Sequence, residues 1–148
     1  MTVSLILHNG VVLIPTSYTI QKGFYFEHSP IEAVPVEKTQ ELREVLLAAV
    51  ERGNPPVSRA EAKALSGSKS TPMLKATGAR SWNALDLQIK GSWSLKDRNG
   101  VYKIQVDRPA QPRGWQEDSD KSVEFPPGTS LDDVISRLIA MIQERAQQ

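Results

Sequence analysis

The chain of 148 residues contains no cysteine, which removes disulfides, thiolate catalysis and zinc–thiolate sites together. It has only two histidines, His8 and His28. A histidine base needs a nucleophile and an orienting partner in reach, and the sequence marks neither beside them. Two histidines without cysteines also make a poor metal site, and the acidic pair Asp132-Asp133 reads as compensation of a helix dipole rather than as ligands. No apolar run approaches the roughly 20 residues that a membrane-spanning helix needs. The first 21 residues hold no Lys or Arg, and the apolar opening Val3 to Leu7 is cut by His8, Asn9 and Gly10, so no secretory signal is expected. Gly67, Ser68, Lys69, Ser70 and Thr71 imitate the end of a phosphate-binding loop but lack its upstream glycine and preceding strand. These absences predict a cytoplasmic protein that is not an enzyme and uses no cofactor or metal.

What is present looks like one element order written twice. Residues 18–53 and 93–146 each read as short strands, a turn and an amphipathic helix. Tyr18 to Gln21 followed by Gly23 to Phe26 is echoed by Trp93 to Lys96 and Gly100 to Lys103. Leu42, Val45, Leu46 and Val50 recur 89 positions on as Leu131, Val134, Ile135 and Ile139. The expected fold is a single α+β domain over residues 1–148, with antiparallel sheets and two main helices. It divides into a first half (1–53), a connector (54–81) and a second half (82–148).

The local signals are specific. Val3, Leu5 and Leu7 alternate with polar neighbours before Asn9-Gly10, a strong hairpin turn because both residues tolerate positive φ. Val11 to Ile14 reads as a central strand closed by Pro15. Lys22-Gly23 predicts a turn, Phe24 to Phe26 a return strand, and Ala33 to Val36 a further strand. Thr39 is the expected cap of the first helix, which Gly53 and Pro55-Pro56 end. In the connector, Ser58 to Glu61 is a capping-box pattern for a short helix stopped by Gly67, and Ser68 to Arg80 is expected to be a mobile loop. Leu85, Leu87 and Ile89 predict one strand, Trp93 and Leu95 the next. Asp97 to Gly100 is a hairpin turn, and Tyr102, Ile104 and Val106 line the buried face of the following strand. Pro109 to Asp120 is expected to be a long polar loop, Val123 to Phe125 a short strand, and Thr129 the cap of the last helix.

Charge is uneven. Residues 59–108 carry ten Lys or Arg against four Asp or Glu, between two mildly acidic ends, while the whole chain has a net charge of +1. The densest acidic cluster, Glu117, Asp118 and Asp120, lies beside Arg113 and Trp115 on the 109–120 segment. Aromatic and arginine anchors are what protein interfaces favour, whereas a Trp115 folded over the sheet edge would only cover the core.

The doubled plan, Ser81-Trp82 at the entry to the second half and the closing run from Phe125 to Ile135 resemble immunity proteins of bacterial contact-dependent growth inhibition systems. Some members of that group share a doubled four-strand-plus-helix plan with the Whirly domains that bind single strands. The resemblance implies a small non-enzymatic protein that binds and neutralises a cognate toxin domain, often a nuclease, in the cytoplasm. Binding residues vary between members of that group, so none carries over by motif. From the residues themselves, the expected partner-binding set is Arg113, Trp115, Glu117, Asp118 and Asp120, with Trp115 as anchor and the acids facing a basic groove. A rival reading is a single-stranded nucleic-acid binder that uses Lys69, Lys75, Arg80, Lys90, Lys96, Arg98 and Lys103, with Trp82 or Trp93 for stacking. A weaker third is an enzyme that uses His8 or His28.

Overall fold

The computed structural model describes residues 1–21, 24–66 and 71–148. Three long strands come first: β1 (Thr2–His8), β2 (Val11–Gln21) and β3 (Phe24–Pro35). Helices α1 (Thr39–Arg52), α2 (Arg59–Ser66), α3 (Pro72–Thr77) and α4 (Trp82–Gln88) follow. The chain then runs through β4 (Gly91–Arg98), β5 (Val101–Pro109), β6 (Trp115–Glu117), β7 (Val123–Glu124) and α5 (Leu131–Ala146). The fold is α+β, as expected, but the strands form one antiparallel sheet rather than several. Their order is β3-β2-β1-β4-β5-β6, with β7 paired to β5 end to end with β6.

That order is symmetric about the β1–β4 pair. The first half contributes β1, β2, β3 and α1, and the second contributes β4, β5, the β6/β7 edge and α5. The doubling is therefore real, but the sequence echo lies one strand out of place. The Asn9-Gly10 turn of the β1–β2 hairpin corresponds to the Asn99-Gly100 turn of the β4–β5 hairpin, so Trp93 to Lys96 match β1 rather than β2. The helical echo is correctly placed.

Period-two alternation decides the faces of the strands. Val3, Leu5, Leu7, Val12, Ile14, Val34, Trp93, Leu95 and Ile104 turn one face toward α1 and α5, where Leu42, Leu46, Ala49, Val134, Ile135, Leu138, Ile139 and Ile142 meet them. Each buried Val, Leu or Ile among them contributes about 1.5–3 kcal/mol. The two helices are clipped together at the surface: Arg43 donates to Ser136 Oγ at 2.9 Å and pairs with Asp132 at 3.7 Å. On the opposite face, α3 and α4 cover the β1–β2–β3 side, with Leu13, Met73 and Leu85 at the centre of a smaller cluster. Over β4 and β5 that face carries Ser92, Ser94, Lys96, Lys103, Gln105 and Asp107 in facing register.

Several expectations are corrected. Pro15 does not end a strand, because β2 runs on to Gln21. Its missing N–H is tolerated where the β1–β2 register has already ended at Ile6–Leu13 and the β2–β3 register shifts. Ala33 to Val36 is no separate strand; Ala33 to Pro35 are the end of β3. Leu85, Leu87 and Ile89 do not share a strand face. Ser81 Oγ accepts from Ala84 N at 3.1 Å and starts α4, which buries Leu85 and leaves Leu87 89% exposed. Within the connector, Pro72 at a helix start and Gly78 at φ 72° bound α3, where a loop was expected. The capping serine of α2 is as read, with Glu61 N donating to Ser58 Oγ at 3.0 Å. The caps of the long helices are Lys38 and Ser130, each one position from the threonine expected. The Lys22-Gly23 turn, the Gly67 stop and Ser68 to Ser70 lie outside the described residues.

Candidate protein-binding cleft

The edge of β5 positions the site. β7 pairs with Lys103 and Ile104, β6 pairs with Asp107 to Pro109, and Val106 N–H falls between them. Ser122 Oγ fills the gap, accepting from Val106 N at 3.0 Å and donating to the Asp118 carbonyl at 2.9 Å. That carbonyl also accepts from the N–H groups of Lys121 and Ser122, while Asp118 N donates to Val106 O at 2.7 Å. Residues 118–122 thus form a tight turn anchored to the sheet, and part of the expected 109–120 loop is the strand β6. The edge's orphaned backbone groups require that order.

Between this edge and α5 lies a cleft of about 560 Å³. Trp115 is half-buried in its wall, and Trp93 and Met141 supply further apolar lining. Lys90 Nζ donates to Ala146 O at 2.9 Å and Arg145 Nε donates to Lys90 O at 2.8 Å, tying the end of α5 to the start of β4. Asp107 is engaged by Ser92 at 3.0 Å and by Gln105 at 2.8 Å. Arg108, Lys121 and Arg137 line the cleft as well, and their side chains form no hydrogen bond or ion pair among the described residues. Asp118, Asp120 and Glu144 bring further acidic groups to the lining.

The structure divides the expected partner-binding set. Trp115, Asp118 and Asp120 share the cleft. Glu117 does not: it pairs with Lys103 Nζ at 2.8 Å on the polar sheet face, and that hydrogen-bonded ammonium holds its carboxyl below the usual value. Arg113 is exposed at the tip of a loop closed by Ala110 N donating to Gly114 O at 2.9 Å, and it lines no part of the cleft. Glu117 is the last residue of β6, whereas Asp118 begins the turn that follows, so the adjacent acids leave the edge in different surroundings. Sequence reasoning missed Arg108 and Arg137. Arg137, Met141, Glu144 and Gln148 form a helical row beside the buried stripe of α5, but nothing local says which strand faces it.

The basic middle of the chain is dispersed. Trp93 is 3% exposed and buried in the core, out of reach of a base. Trp82 is exposed on α4, whereas Lys96 bonds Gln105 at 2.6 Å and Lys103 is paired with Glu117. His8 is buried against α4, its Nε2 3.1 Å from Gln88 Oε1, and His28 stands on β3. Among the described residues no three His, Asp or Glu side chains gather as a metal site would require, and no helix is long and apolar enough to cross a membrane.

No family model matches the chain, and no curated protein matches it. A solved structure from Neisseria meningitidis, described as a protein of unknown function, NMB0488, is similar with a TM-score of 0.69. The likeness covers 97% of this chain and 93% of that one at 14% identity. At that identity the likeness concerns the fold: the whole arrangement of sheet and helices recurs in a second protein.

Proposed function

We propose that this chain is a cytoplasmic, non-enzymatic immunity protein that neutralises a cognate contact-dependent growth inhibition toxin domain, a nuclease, by binding it through the Trp115 cleft. The observation that carries the binding face is the cleft's composition. A half-buried tryptophan, the cations Arg108, Lys121 and Arg137, unpaired among the described residues, and the acids Asp118 and Asp120 converge on one concavity. Aromatic anchors with charges of both signs suit a protein surface that carries complementary charges, where they set register and reject wrong partners. The sequence resemblance supplies the kind of partner. Asp118 and Asp120 are the groups placed to meet a nuclease's basic groove.

Coexpression with the toxin domain encoded immediately upstream tests both parts. Growth should be rescued by the wild type and lost with Trp115→Ala combined with Asp120→Lys and Arg137→Glu, with the complex disappearing on size-exclusion chromatography. Absence of rescue by the wild type removes the function, and full rescue by the triple variant removes the binding face.

A further inference from the structure

The sheet ends in β3 on the side away from the cleft, and among the described residues no strand pairs with its outer side. An unpaired strand edge presents alternating N–H donors and C=O acceptors that template a further strand. Part of this edge is guarded. Ser29 and Pro30 are two extra residues between the pairs Pro15–Ile31 and Thr16–His28, and Pro35 ends the strand. Bulges and prolines obstruct further pairing.

Phe24 to His28 carry no such device. Glu27 is the acid among them, and its carboxyl bonds the Ser4 hydroxyl on β1, two strands in, so it puts no charge on the edge. Phe24 is 65% exposed and Tyr25 45% exposed. Phe26 stacks on His28 with ring centroids 5.7 Å apart and lies 6.5 Å from the Tyr18 ring. An aromatic ladder therefore borders the unguarded stretch.

The electrostatic complement of a row of donors and acceptors is the same row run the other way. A two-fold axis perpendicular to the sheet supplies it from a second copy. Side chains alternate between faces, so facing residues share a face under that axis only when their numbers sum to an even value. The axis can then pass at Tyr25, Phe26 or Glu27. At Tyr25 the pairing runs out of strand beyond Phe24, and at Glu27 it sets Phe24 against the partner's Pro30 in the bulge. At Phe26 the whole stretch is used. Phe24 then covers the partner's His28, Phe26 meets its own equivalent, and Tyr25 lies beside the partner's Glu27. Facing aromatic pairs of this kind are what stabilise neighbouring strands.

We infer that two copies of this chain pair antiparallel along Phe24 to His28, about a two-fold axis at Phe26, and join their sheets edge to edge. The Trp115 cleft lies at the β5–β6 end of the sheet, so the pairing leaves it open in both copies. The inference is independent of the toxin-binding reading and stands or falls separately.

Sedimentation of the full chain tests it. The mass should rise from one copy toward two with concentration, with half of the chain paired between about 10 μM and 1 mM, as a small interface permits. Phe24→Lys places a charge on the edge at an exposed position. It should leave thermal unfolding unchanged and weaken the pairing about tenfold or more, whereas Val101→Lys, exposed in the β4–β5 hairpin, should leave the pairing intact. Because the chain lacks cysteine, a single introduced thiol reports the register. Phe26→Cys should cross-link to its own equivalent under mild oxidation well ahead of Val101→Cys, since facing Cβ atoms lie about 5 Å apart. A chain that stays monomeric at about 1 mM, equal effects of the two lysines, or equal cross-linking of the two thiols would overturn the inference. So would β3 amides that shift only when the toxin domain is added, which would give the edge to that partner.

Discussion

Asn9 and Asn99 stand 90 positions apart and hold the same left-handed backbone conformation, φ 51° and 54°, each followed by a glycine at φ 74° or 80°. They turn the β1–β2 and β4–β5 hairpins, the two strand pairs that meet at the centre of the sheet. A two-residue loop with positive φ at both positions matches the twist of the strands it joins.

The two turns should therefore respond alike. Gly10→Ala and Gly100→Ala meet no side-chain clash, so strain at positive φ is the whole cost, about 1 kcal/mol each. Urea unfolding measures it, and an unchanged midpoint in either variant would contradict the equivalence.

Leu46 and Ile135 are fully buried, 89 positions apart on α1 and α5. Truncating either to alanine should cost about 2–5 kcal/mol, because both meet the same core and little around them can collapse. If one helix tolerated truncation with under about 1 kcal/mol lost, the shared core would be wrong there.

Gly91 begins β4 with the Trp93 indole lying over it, and a Cβ built at Gly91 would overlap that ring. Gly91→Ala must displace the buried indole and should cost about 1–3 kcal/mol, with a visible change in tryptophan fluorescence. An unperturbed spectrum would argue against that contact.

Glu117 supplies a pH prediction. Its carboxyl is lowered in the folded protein by Lys103, so its contribution to stability is complete above the ordinary glutamate range and is lost as pH falls through the lowered folded value. Lys103→Met should move the NMR titration of Glu117 up toward its usual value and flatten that acid-range loss. Because Glu117 lies off the cleft, Glu117→Lys should preserve growth rescue that Asp120→Lys weakens. Loss of rescue in both would return the polar sheet face to the interface.

Much of the frame was legible. The stripe of α5, the alternation of β1, β4 and β5, and both Asn-Gly turns follow from period and turn chemistry, which act within a few residues. The short pieces were not. Over five residues Leu85, Leu87 and Ile89 fit a strand face as well as a helix, and only the Ser81 cap together with packing of Leu85 on Leu13 chose α4. At the site, Trp115, Asp118 and Asp120 were legible as a local cluster. Arg108 and Arg137 were not, because they reach the cleft from β5 and α5.

By itself the sequence determined the fold class, the doubled element order, the stripe of each long helix and the absence of thiol chemistry. All of these are consequences of local spacing or composition. The tertiary structure alone decided that the two halves join through β1 and β4, and that Glu117 turns away from Asp118. These relations depend on which strands pair and in what register. That choice is made by burial summed over the whole sheet, and no short segment carries it.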